Sequence, residues 1–210
     1  SYKQPLWLGN ESLIGKTLLI TIEQGFGDYI QFIRYAFLVE KLGAKVILEA
    51  PLLLMKLAST LKGHFIFVES GKSLPDFDYY CPIVSLPLAF KTTVETIPAT
   101  LPYLYVDKVK KQQWNKKLGK QVMIRIGLVW TGNPDHTNDH NRSLLLKQFS
   151  NLLTLPFEFH SLQKDIREAD AQTIIDHPHI YQHQDELQDF SDTAALVDAM
   201  DIIISVDTSV

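Results

Sequence analysis

Lys16–Ile22 (KTLLITI) runs directly into Glu23-Gln24-Gly25-Phe26-Gly27-Asp28, and the reading of this stretch decides the fold. The first part is an apolar run with no polar alternation, which reads as a strand buried on both faces, as in a parallel sheet. The glycine-bearing turn after it reads as the opening of a helix, the place where an α/β protein presents a ligand to backbone N–H groups. The same grammar returns at the other end of the chain. Asp201–Val206 (DIIISV) reads as a second buried strand and Asp207-Thr208-Ser209 as the opening of another helix. The sequence stops at Val210, before that helix, so the second half is expected to be an incomplete domain. Two such openings, one in each half, imply a two-domain cleft for a phosphorylated ligand.

Strand and helix alternate between these two points. A helix over Asp28–Leu42, closed by Gly43 in a left-handed cap, is followed by a strand at Lys45–Glu49, a helix at Leu52–Leu61 and a strand at Phe65–Val68. That order is the pattern of a parallel sheet. Gly71–Pro102 is loop-rich, with Pro75, Pro82, Pro87, Pro98 and Pro102, and has room for a short strand near Asp78–Cys81. Lys108–Lys120 reads as a polar, lysine-rich helix anchored by Trp114 and Leu118, and the domain boundary is placed at its end, giving domains 1–120 and 121–210. The second unit opens with a strand at Arg125–Trp130 and a long polar loop at Thr131–Arg142. A helix at Leu144–Leu153, a strand at Phe157–Leu162, and helices at Asp165–Ile175 and Asp192–Met200 complete it.

The 210 residues are 46% hydrophobic, enough for a packed core. A formal net charge of -4 lacks the basic field that nucleic-acid binding requires, so nucleic acid is not an expected partner. The single cysteine, Cys81, rules out an internal disulfide and fits a reducing compartment. No apolar run approaches the ~20 residues of a membrane span, and SYKQPLWLGN lacks the pattern of a signal peptide. Cytoplasm is the expected location.

Gly25-x-Gly27 is too short for the dinucleotide fingerprint because no third glycine follows, which weakens a dehydrogenase reading. Asp28 is placed to cap a helix or to point into a cleft. Thr131–Arg142 follows a strand end and exceeds the ~2–6 residues of an ordinary connection in such units, which favours a functional loop over a plain polar turn. Its last residue, Arg142, carries a guanidinium suited to two parallel bonds to a phosphate. Ser161-Leu162-Gln163-Lys164 closes another strand at the same edge, with Lys164 either on a phosphate or simply exposed. Asp207, Thr208 and Ser209 offer backbone N–H groups and hydroxyls to a diphosphate at a helix start. The spacing of His177, His179 and His183 invites a metal, but Pro178 and the lack of partnering ligands argue against one, and no metal is expected. Cys81 reads as a buried apolar residue.

Taken together, PLWLGN (5–10), GKTLLITIEQGFGDYIQFIRYA (15–36), CPIVSLPLAF (81–90), GLVWTGNPDHTNDHNRSL (127–144), FHSLQK (159–164) and DTAALVDAMDIIISVDTSV (192–210) resemble the glycosyltransferase module found beside tetratricopeptide repeats in many bacterial proteins. That module is similar to the heptosyltransferases, glycosyltransferase family 9. The resemblance implies a GT-B-like α/β architecture of two Rossmann-like domains with parallel sheets, the C-terminal one incomplete here. It implies a nucleotide-diphosphate-sugar donor held by the C-terminal domain, a hydroxyl acceptor on a saccharide or protein held by the N-terminal one, and no cofactor or metal. By the same resemblance Asp28 matches the general base that takes the acceptor proton, a task for a positioned carboxylate. Gln24, Gly25, Gly27 and Gln31 fall on the acceptor-side loop, and Asn141, Arg142, Lys164, Asp207, Thr208 and Ser209 on the donor side. The alternative is a non-catalytic binding or scaffolding module that keeps the fold without a complete active site.

Overall fold

The protein is described by a computed structural model covering residues 2–23 and 25–210. The chain divides into two compact units, residues 1–105 and 106–208. In the first unit β1 (Thr17–Thr21) leads to α1 (Phe26–Phe32), one 3₁₀ turn at Ile33–Tyr35 and α2 (Ala36–Lys41). Then follow β2 (Lys45–Ala50), α3 (Leu52–Ala58), β3 (Phe65–Glu69), β4 (Tyr79–Pro82) and α4 (Leu86–Ala89). The strands form an all-parallel sheet in the order β3-β2-β1-β4. β1 lies inside it, and Leu18, Leu19 and Ile20 are fully buried.

The second unit begins with α5 (Lys108–Leu118) and β5 (Arg125–Val129), followed by α6 (Asp139–Arg142), a 3₁₀ turn at Leu146–Phe149, α7 (Ser150–Leu153) and β6 (Glu158–Ser161). α8 (Glu168–Asp176), β7 (Ile180–Tyr181), α9 (Phe190–Asp198) and β8 (Ile202–Ser205) complete it. This sheet is also parallel, ordered β7-β6-β5-β8, so the second unit repeats the strand order of the first.

Two expectations need correction. The helix expected over Asp28–Leu42 begins two residues earlier and is interrupted by the 3₁₀ turn, although Gly43 does close it with φ +84. The boundary lies before α5 and not after it. Trp114 is buried in one core with Val129, Leu162, Leu187 and Leu196, while Lys110 and Lys111 reach Asp192 and Asp198 of α9 at 2.6 and 2.7 Å. A helix that looks like a polar linker is thus half of a charge-matched pair. Asp207 and Thr208 form a bend. Among the described residues no helix is long and apolar enough to cross a membrane.

A polar chain runs through this second core. Arg125 Nε donates to Glu158 Oε1 at 3.0 Å, His160 Nε2 lies 2.9 Å from the same oxygen, and His160 Nδ1 lies 3.0 Å from His183 Nε2. If Nε2 of His160 donates to the carboxylate, its Nδ1 must accept, and His183 must donate from Nε2. His183 Nδ1 is left buried without a partner, and the ring packs edge-on against Trp114 at 5.1 Å. Burial, the neighbouring His160 and the Lys117 ammonium together push His183 down to about 4, with Glu186 acting weakly the other way. A folded-state pKa below the ordinary 6.5 means the unfolded chain binds the proton more readily. Urea-unfolding midpoints of the second unit are therefore expected to fall as pH drops from about 6.5 to about 4, with a shallower slope in His183→Phe. Midpoints independent of pH across that window would contradict the arrangement.

Candidate functional site

In open parallel sheets ligands bind at the carboxyl ends of the strands, where successive connections leave in opposite directions. Here those points are the crevices between β1 and β4 and between β5 and β8. The glycine turn falls at the first and the long polar loop at the second.

At the end of β1, Gly25 is the N-cap of α1 with extended backbone, φ -66 and ψ 170, and its carbonyl accepts from Tyr29 N at 3.2 Å. Asp28 is therefore not the cap, as the helix-start reading had it, but the third residue of the first turn, half-buried, where the helix dipole favours a carboxylate. Gly27 is helical. A methyl group added to Gly25 would meet nothing closer than Asp28 Oδ2 at 3.9 Å, so neither dihedral angle nor packing within the unit demands glycine there. Gln31 is exposed one turn beyond Asp28 on the same helix face. It also lines a groove of about 430 Å³ with Phe32, Tyr35, Val94 and Ile97. Gln24 lies outside the described residues. Cys81 is fully buried, and burial followed by the Glu23 charge pushes its thiol up to about 12, which leaves no thiolate for nucleophilic work.

The second crevice is built by side chains that the sequence reading passed over. Gln163, buried just after β6, accepts from both Trp130 N at 2.9 Å and Thr131 N at 3.0 Å, and its amide nitrogen donates to Thr131 Oγ1 at 2.7 Å. Ser143 Oγ takes the next N–H, that of Gly132, at 3.0 Å. The backbone donors at the end of β5 are thus consumed internally, and the loop is no amide cradle for a phosphate of the dinucleotide kind. Asp170, fully buried, accepts from Trp130 Nε1 at 3.0 Å and Leu146 N at 2.7 Å and fixes the other side of the strand end.

What remains for an anion is side-chain charge. Arg142 ends α6, and its Nη1 donates to the Asp207 carbonyl at 3.2 Å, which ties the β5 loop to the segment after β8 across the crevice. The structure therefore brings Arg142 and Asp207 together, with Thr208 and Ser209 following, half-buried. Gly132 makes room for this arginine, since a Cβ there would lie 2.8–2.9 Å from the guanidinium. Asn141 is exposed and bonds Asn138 at 2.6 Å, and Lys164 reaches the Gln184 carbonyl at 2.9 Å. His177 and His179 bond the carbonyls of Thr173 and Leu153, so the three clustered histidines go to three different places. The missed residues Gln163, Asp170, Asp139 and Arg167 had one signal, their nearness to a strand end or the polar loop. Their partners lie 24–40 residues away or within an aperiodic stretch.

Among solved structures, ADP-heptose LPS heptosyltransferase II from E. coli matches over 92% of this chain and 80% of its own, with a TM-score of 0.51 and 12% identity. The fold is GT-B-like. No protein-family model and no curated protein matches the chain. At 12% identity the likeness carries architecture and is silent on which residues act.

The Gln163 clamp makes a stability prediction. Gln163→Leu keeps bulk but strips two buried N–H groups of their acceptor, at a cost of ~1–3 kcal/mol each before relaxation. Urea denaturation of the second unit should show a loss of ~2–4 kcal/mol; a loss below ~1 kcal/mol would mean the amide does not hold the strand end.

Proposed function

We propose that this chain is a glycosyltransferase-like module that transfers a sugar from a nucleotide-diphosphate donor to a hydroxyl acceptor without a metal, within a protein that carries tetratricopeptide repeats elsewhere. The observation that carries the reading is Arg142 seated across the crevice where the connections of the second sheet diverge, in a fold that resembles a heptosyltransferase. In this reading the second unit takes the donor. Arg142 holds the diphosphate and balances the charge that grows as the sugar departs, with Asn141, Lys164, Asp207, Thr208 and Ser209 around it. The first unit takes the acceptor. Asp28 removes the hydroxyl proton, Gln31 orients hydroxyls from the same helix face with Gln24 assisting, and the bare Gly25 leaves room for a sugar to approach.

One observation favours the other reading, a non-catalytic binding module: Arg142 and Lys164 are both bonded to main-chain carbonyls. Calorimetric titration of the chain with ADP, UDP, GDP and CDP separates the two, because the module reading predicts no uptake of any of them. Arg142→Ala should weaken the preferred diphosphate by ~1.5–3 kcal/mol and leave the free nucleoside unaffected. Equal loss for both would remove Arg142 from the diphosphate.

Asp28→Asn tests the base. Because Gly25 is the cap, this change should alter stability by no more than ~1 kcal/mol, the scale of a first-turn charge on the dipole. Transfer from the donor that binds should nevertheless fall ~100-fold or more with donor affinity retained. Normal turnover in Asp28→Asn would refute the catalytic role.

A further inference from the structure

In the second unit two guanidinium groups converge on one carboxylate. Asp139, the first residue of α6, is 8% exposed. Its Oδ2 accepts from Arg167 Nη2 at 2.7 Å, and its Oδ1 accepts from Ser143 Oγ at 2.6 Å and lies 3.8 Å from Arg142 Nε. Arg167 Nη2 also donates to the Gly132 carbonyl at 3.0 Å and approaches Ser143 Oγ at 3.4 Å. Ser143, Arg167 and Arg142 hold the Asp139 carboxyl below the usual carboxylate range, against the opposing effect of its burial. Two cations face one anion here. Among the described residues the exposed carboxylates on the adjoining segments, Asp135, Asp165, Glu168 and Asp207, form no ion pair with either arginine.

The arrangement is unfinished. Arg142 Nε is buried and has no hydrogen-bond partner, and 3.8 Å to Asp139 Oδ1 is too long to supply one. A buried N–H of a cation without an acceptor is costly, and such groups mark places where an acceptor from outside belongs. A carboxylate has two oxygens and a single charge. A phosphoryl group offers three oxygens, more charge, and the geometry that two guanidinium forks match best.

We propose that Asp139 is an internal stand-in for a phosphoryl oxyanion, and that a diphosphate binds by taking Arg167 and Arg142 away from it. Arg167 is then a second binding residue beside Arg142, and Asp139 a brake that lowers affinity and keeps the two arginines apart from weaker anions. This rests on reading the second unit as the diphosphate-binding half and adds to that reading a residue and a competitor within the protein.

Inorganic pyrophosphate titrated calorimetrically into the whole chain at low ionic strength tests it. Asp139→Asn, which keeps one oxygen to accept from Arg167 and turns an amide N–H toward the Ser143 hydroxyl oxygen, should bind pyrophosphate at least tenfold more tightly than the unaltered chain. Arg167→Gln should bind at least tenfold more weakly, and the double variant should stay at the weak level of Arg167→Gln. Circular dichroism melts check that each variant is folded. Should Asp139→Asn fail to fold, Arg167→Lys takes its place: keeping the charge and losing the fork should cost most of the affinity that Arg167→Gln costs. Unchanged or weaker binding by folded Asp139→Asn, unchanged binding by Arg167→Gln, or no uptake of pyrophosphate by either the unaltered chain or Asp139→Asn would overturn the proposal. The two readings fail separately. Nucleoside diphosphate binding that depends on Arg142 but on neither Arg167 nor Asp139 sinks the stand-in and leaves the donor site. Pyrophosphate binding with the expected pattern, and no uptake of any nucleotide sugar, keeps the stand-in and sinks the transferase.

Discussion

A parallel sheet whose first strand ends up inside must send its connections to both sides of that strand, and this constraint organises each half of the molecule. β1 pairs with β2 on one side and β4 on the other, and β5 does the same with β6 and β8. Both faces of these inner strands are covered, so their middles must be apolar, while the loops at their carboxyl ends diverge and leave a crevice that nothing in the sheet fills. The polar residues worth discussing are therefore gathered at those ends for a topological reason before any chemical one.

Because buried parallel strands are continuous apolar runs, most of them could be read from the sequence. KTLLITI and RIGLVW became the inner strands, DIIISV became an edge strand that is half-exposed and not the buried one expected, and the strand–helix alternation gave the class. β7 was not legible, since two residues between histidines make no run. The boundary was misplaced for a physical reason as well. α5 has few apolar positions because its lysines are satisfied by acids on α9 some 80 residues away, and a charge match over that distance leaves no local pattern. The helix after β1 was read from its cap, yet Gly27 took helical dihedral angles and the extended Gly25 became the cap, which moved the start to Phe26.

The candidate site was legible in the same partial way. Loop length pointed to Thr131–Arg142 and residue chemistry to Arg142, and the structure puts that arginine on the carbonyl of Asp207, another residue singled out. The groups that shape the crevice around it, Asp139, Ser143, Gln163, Arg167 and Asp170, are each ordinary polar residues in the sequence. Their importance comes from three-dimensional neighbours: a carboxylate with two cations, an amide with two N–H groups, an acid beneath an indole.

The Gln163 amide also bears on how substitution patterns at this site are to be understood. Its oxygen must accept twice from Trp130 and Thr131 while its nitrogen donates to Thr131 Oγ1 and to the Asp165 carbonyl at 3.3 Å. Glutamate would set a carboxylate oxygen against the Asp165 carbonyl, asparagine is one methylene too short, and apolar residues satisfy nothing. Position 163 is thus restricted to a single letter by geometry alone. In a saturation-mutagenesis map it would stand out as sharply as a catalytic residue while touching no substrate, so intolerance at the rim of this crevice is not a measure of chemistry.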